Sequence, residues 1–122
     1  MTIKKRLQTL KTELTDFSGN IVAVTKYSTP EQMIEAYEAG LKNFGESKIQ
    51  LIEEKWGVLP EDLINNINWH FIGHIQTNKV KKIIGKFQLI HSVDSVKLAI
   101  KIDKEAGDLN LIQNILLQVN IS

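Results

Sequence analysis

The chain has 122 residues, 43% of them hydrophobic and 24% charged, with 15 Lys+Arg against 14 Asp+Glu and no cysteine. That length allows one domain with a modest core; the missing cysteines exclude a disulfide framework, a thiolate nucleophile and a Cys-based zinc site; and a net charge of +1 gives no electrostatic reason to expect a nucleic acid or membrane surface as partner. No run approaches the ~18 apolar residues of a membrane span, and Met1-Thr2-Ile3-Lys4-Lys5-Arg6 leads into mixed polar sequence, not a signal-peptide core, so the expectation is a soluble, cytoplasmic protein formed as a single domain over residues 1–122.

Ile3, Leu7, Leu10 and Leu14 recur at helical spacing and predict an amphipathic helix that ends at Gly19-Asn20. Ile21 to Val24 form an unbroken apolar run, suited to a strand covered on both faces. Thr29-Pro30-Glu31-Gln32 predicts a helix start with a capping box and proline at the first position, and Gly40 is placed to end that helix in the left-handed conformation. A short strand at Asn43-Phe44-Gly45 follows. Ser47-Lys48-Ile49-Gln50 repeats the capping-box pattern and opens a helix to about Trp56, and Gly57 to Asn68 reads as a connection. Trp69 to Gly73 is the next strand, with a short helix from about Asn78 to Ile84 broken by Gly85. Phe87 to Val93 predict a fourth strand. Asp94 or Ser95 caps a helix through Ala106 closed by Gly107, and Asn114 to Ile121 make a fifth strand.

Strict alternation of strand and helix implies an α/β fold with parallel strands and right-handed crossovers. Five such strands fit either an open doubly wound sheet or part of a (β/α)8 barrel. Neither GxGxxG nor GxxxxGK[ST] occurs, so a nucleotide-binding sheet lacks its usual support. A complete barrel needs about 250 residues. A fifth strand with no successor leaves an apolar edge that invites pairing with another chain.

Lys26 follows the first strand at its C-terminal end, where both parallel architectures carry their functional sites. Partial desolvation there disfavours an ammonium, and a neutral amine is what carbonyl attack requires; on position alone, however, Lys26 reads as a strand-end lysine reaching into water. His70, Gly73, His74, Gln76, Asn78 and Lys79 crowd the end of the third strand. Thr77 is placed to cap the next helix, and Gly73 permits close backbone approach. His70 is open to two readings, a site residue or a core histidine hydrogen-bonded to the backbone. Zinc lacks a third ligand and an HExxH pattern, so no metal is expected. Lys79, Lys81, Lys82 and Lys86 read as a solvated helix face, and Asp94 and Ser95 as helix caps, not parts of a hydrolase triad.

Several blocks, in order along the chain, resemble one family. They are Val22-Ala23-Val24-Thr25-Lys26, Ala36-Tyr37-Glu38-Ala39-Gly40, Asn43-Phe44-Gly45-Glu46, the long block Trp69 to Val80, His91-Ser92-Val93-Asp94-Ser95, and Leu117 to Ser122. Together they resemble the pyridoxal 5′-phosphate homeostasis proteins. The resemblance implies part of a (β/α)8 barrel like the N-terminal domain of alanine racemase, covering the first half of the family's chain. It implies that pyridoxal 5′-phosphate is held as a Schiff base on Lys26, that Ser47, His70, Gly73, Gln76 and Asn120 lie at the cofactor end with the Phe44-Gly45-Glu46 segment, and that robust catalysis is not part of the role.

The chain departs from the family pattern at Ser47, where asparagine is common, and at Ser28, where a second lysine often stands. The later strands, which in the family supply the phosphate cradle and the group facing the pyridine nitrogen, lie beyond Ser122. Charge-assisted phosphate contacts are a large part of cofactor retention, so the expectation is weak, reversible binding unless self-association or a complementary half-barrel supplies the missing wall. The competing functions are an amino-acid racemase using Lys26 for proton transfer and a truncated fragment that binds nothing.

Overall fold

The structure is a computed structural model that describes residues 2–119 and 121. The strands are Ala23–Val24 (β1), Asn43–Glu46 (β2), Asn68–Phe71 (β3), Leu89–Val93 (β4) and Ile115–Leu117 (β5). The helices are Ile3–Glu13 (α1), Pro30–Glu38 (α2), Ile49–Trp56 (α3), Glu61–Asn66 (α4), Val80–Ile83 (α5), which a 3-10 turn at Thr77–Lys79 precedes, and Val96–Asp108 (α6). All five strands pair in parallel in the order β1-β2-β3-β4-β5.

That order separates the two architectures left open by composition. A doubly wound sheet reverses its strand order at a switch point. Here each strand lies beside its predecessor, so right-handed crossovers all step the same way and collect the helices on one face. The other face is left as the interior wall of a barrel. The sheet is therefore part of a (β/α)8-type barrel.

Alternation along the strands sorts side chains between these faces. Phe44, Trp69, Phe71 and Ile90 point to the helices and join Met33, Ile52, Leu63, Ile83, Leu98 and Ile102 in the core. Edge-to-face aromatic contacts join Phe44 to Trp69 at 5.6 Å and Phe71 to Phe87 at 5.2 Å between centroids. Trp69 can be buried because its indole N–H donates to the Ile64 carbonyl at 3.0 Å.

Thr29 and Gln32 form the predicted capping box, and Gly40 ends α2 at φ +102°. Four local expectations are overturned. Ser47 does not cap α3: the N-cap residue is Lys48, which is extended (φ −136°, ψ 117°) and makes no side-chain capping hydrogen bond. Thr77 does not cap the next helical segment, whose N-cap is Gln76, again without a side-chain bond. The connection from Gly57 contains α4. Pro60 precedes its first turn, Glu61 and Asp62 favour that end electrostatically, and Leu63 and Ile67, four apart, are both buried. Two asparagines there hide a helix that packing pays for. Finally, α6 runs through Gly107 to Asp108, and the left-handed residue is Asn110 (φ 55°), beyond which the Leu111 N–H returns to the Ala106 carbonyl at 3.0 Å.

Among the described residues no helix is long and apolar enough to cross a membrane. The β5 side of the sheet leaves Leu116, Leu117 and Val119 exposed, and with Val96, Ala99 and Ile100 the last two line an apolar cavity of about 440 Å³.

Candidate functional site

Three features of the inner sheet face and its C-terminal rim bear on chemistry. The first is Lys26. Ala23 packs on the helix-side core and Thr25 is buried beside Glu46, so Val22 and Val24 lie on the inner face. Lys26 begins the turn just beyond. The Ser28 N–H closes that turn on the Thr25 carbonyl at 2.9 Å. Lys26 is half-buried; its ammonium lies 5.3 Å from the centroid of the Tyr27 ring and forms no salt bridge among the described residues. An amine held by one aromatic face is easily released to another partner, because such contacts at exposed sites contribute only about 0.5–1 kcal/mol.

The second feature is a polar row across the inner face. His70 Nε2 lies 3.0 Å from Asn43 Oδ1, and His70 Nδ1 lies 2.9 Å from His91 Nε2. Asn43 Oδ1 can only accept, so His70 carries its proton on Nε2. Its bare Nδ1 then accepts from a protonated His91 Nε2. Burial lowers the pKa of His70 first, and the neighbouring His91 lowers it further; burial likewise lowers His91. Both ring nitrogens of His70 are thus committed within the wall. It is a buried histidine, and its partners are side chains where the core reading of the sequence placed a backbone bond.

The third feature is the rim. A Cβ on Gly73 would stand 2.1 Å from the Ser47 carbonyl oxygen. Only glycine lets the segments after β2 and β3 touch. The Ser92 hydroxyl donates to the Gly73 carbonyl, extending the contact to β4. Ser47 and Gln76 come together, but not around Lys26. They line a cavity of about 420 Å³ between α3 and the segment leading into α5, with Lys48, His74, Lys79 and Lys82. The expected grouping of Ser47 and Gln76 with Lys26 therefore divides into two places. Asn120 lies outside the described residues. Among the described residues, no group of three or more His, Cys, Asp or Glu is placed to hold a metal.

Sequence reasoning placed Glu46 near the cofactor end but missed the pair it forms next to Thr25, the residue before Lys26. Glu46 and Lys55 pair at 3.1 Å beneath the end of β1, and Lys55 also donates to the Thr25 carbonyl at 2.7 Å. The available signal was Glu46 itself, two residues after the core residue Phe44 and hence on the same, helix-facing side of β2.

No protein-family model matches the chain. Curated relatives do. The chain is 43% identical over 103 residues to a pyridoxal phosphate homeostasis protein of Aquifex aeolicus, covering 84% of this chain and 44% of the relative. It is 41% identical over 104 residues to one of Synechocystis, covering 85% of this chain and 47% of the relative. Over most of its own length the chain is similar to pyridoxal phosphate homeostasis proteins. It spans about half the length of the curated relatives it matches. Solved structures agree on the family's fold: PipY of Synechococcus elongatus, solved with PLP bound, aligns at a TM-score of 0.86 and 34% identity over 99% of this chain and 56% of its own. The same protein without PLP aligns at 0.88 and 35% identity.

Proposed function

We propose that this chain binds pyridoxal 5′-phosphate as part of a protein of intracellular cofactor homeostasis, with Lys26 as the residue that condenses with the cofactor's aldehyde. The observation that carries the proposal is the placement of Lys26: half-buried at the C-terminal end of β1, in a closed turn, with an amine engaged among the described residues only by the Tyr27 ring. Relatedness to a protein solved with PLP bound supports the same reading. When bound, the cofactor supplies an electrophilic carbonyl and a conjugated ring that accepts electrons. The chain's own part is to present an amine, with the Tyr27 ring on one side of it, at the end of a turn that closes on the Thr25 carbonyl. The described residues around Lys26 fit the aldehyde end of the cofactor.

Incubation with pyridoxal 5′-phosphate, borohydride reduction and peptide mapping tests the assignment. Modification is expected at Lys26, with a drop of at least about tenfold in total label for Lys26→Ala, as for loss of a covalent partner. Label spread over many lysines, undiminished in that variant, would refute it.

The exposed Leu116, Leu117 and Val119 support a second element of the proposal, that the β5 edge pairs with a further chain, most simply a second copy. Sedimentation at low micromolar concentration is expected to show species larger than 13.9 kDa. A folded monomer under those conditions would exclude it.

A further inference from the structure

Beneath the Lys26 turn, the helix-facing side of the sheet interrupts its apolar surface with a buried ion pair. Glu46 at the end of β2 is 1% exposed and Lys55 on α3 is 11% exposed. The Lys55 ammonium has three N–H donors, and three acceptors surround it: Glu46 Oε1 at 3.1 Å, Glu46 Oε2 at 3.2 Å and the Thr25 carbonyl at 2.7 Å. Thr25 is held at every polar atom. Its N–H donates to the Gly45 carbonyl at 3.0 Å, its hydroxyl to Glu46 Oε2, and its carbonyl takes both Lys55 and the Ser28 N–H that closes the turn. The residue immediately before Lys26 is therefore tied to β2, to α3 and to its own turn.

Stability alone does not call for this arrangement, because a buried ion pair typically gains little over well-packed apolar residues of similar volume. What the pair supplies and an apolar pair cannot is a directed bond to one carbonyl. We infer that Lys55, oriented by Glu46, is a positioning residue that fixes the Thr25–Ser28 turn and so sets where the Lys26 amine stands. The inference rests on the proposed role of Lys26 only for its consequence in binding; the brace itself is a property of the turn. A misplacement of about 1 Å can cost on the order of 100-fold in a positioned reaction, so a relaxed turn should weaken adduct formation at Lys26 without touching the amine.

The test is the double variant Glu46→Gln/Lys55→Met, which removes both charges together and leaves neither buried alone. Two readouts are needed. Amide hydrogen exchange at Ser28 reports the turn directly, without cofactor, and is expected to accelerate at least about tenfold as that bond opens. Borohydride trapping at subsaturating pyridoxal 5′-phosphate is expected to fall by about tenfold at Lys26, with no change at the exposed Lys81 and Lys82. A folded double variant, by circular dichroism, with Ser28 exchange and Lys26 trapping both at wild-type levels overturns the inference. If the double variant does not fold, the wild-type chain decides: Ser28 exchange slowed at least about 100-fold relative to an unstructured peptide supports the brace, and exchange at the free rate overturns it. A wild-type chain that is not trapped at Lys26 would refute the proposed function instead, with the exchange measurement still deciding the brace.

Discussion

Gly73→Ala is expected to destabilise the protein by about 3 kcal/mol, at or beyond the upper end of ordinary overpacking costs. The new methyl would lie 2.1 Å from the Ser47 carbonyl oxygen and 2.8 Å from both the carbonyl carbon and Cα of that residue. These are backbone atoms, which cannot swing aside as a side-chain tip does. The segments after β2 and β3 would have to separate, and the Ser92 bond to the Gly73 carbonyl would be lost with them. Gly107→Ala is the control. Its Cβ would meet nothing within 4 Å, and the position is helical, so the substitution is expected to stabilise by up to about 1 kcal/mol through helix propensity. Urea midpoints at neutral pH check both, provided the slopes agree. Equal midpoints for Gly73→Ala and the wild type would show that the rim does not need the close approach.

Stability is expected to fall as the pH drops below about 6.5, the ordinary histidine value, through protonation of His70 and His91. The sign follows from proton counts. Both pKa values are lowered in the folded chain, so between the folded and unfolded values the unfolded chain binds more protons. Stability therefore rises with pH across that window. It is complete above the unfolded value and is lost as the pH falls toward the lowered folded ones. Burial is the larger cause for both rings, and for His70 the facing His91 ring, 2.9 Å away between Nδ1 and Nε2, adds to it. Urea unfolding between pH 7.5 and 5.5, above the range in which most carboxylates titrate, measures the slope. The His70→Asn/His91→Gln variant is expected to flatten it, and an unchanged slope in that variant would remove the pair as its source.

Much of the architecture was legible from local rules. Thr29, Pro30 and Gln32 specify a helix start by hydrogen bonds within four residues, and the alternation of apolar runs with helical periods implies parallel strands before any contact is known. The same local reading failed at Ser47, Thr77, Gly107 and α4. At Ser47 the capping pattern is intact, but β2 continues one residue further and the backbone is committed to Gly73. At α4 the helix is sustained by burial of Leu63 and Ile67, which outweighs the poor propensity of the asparagines between Ile64 and Ile67.

Sequence by itself determined that Lys26 follows an apolar strand, that four βα units and a fifth strand follow one another, and which family the blocks resemble, because each of these is written in neighbouring residues. Tertiary structure alone decided the rest. It chose the barrel by the consecutive strand order, and turned His70 inward onto Asn43 and His91. It set Ser47 and Gln76 around a cavity that Lys26 does not line, and placed Glu46 and Lys55 beneath Thr25. Each depends on which residues of separate strands and helices meet, and that is fixed by packing across the sheet, which no local pattern records.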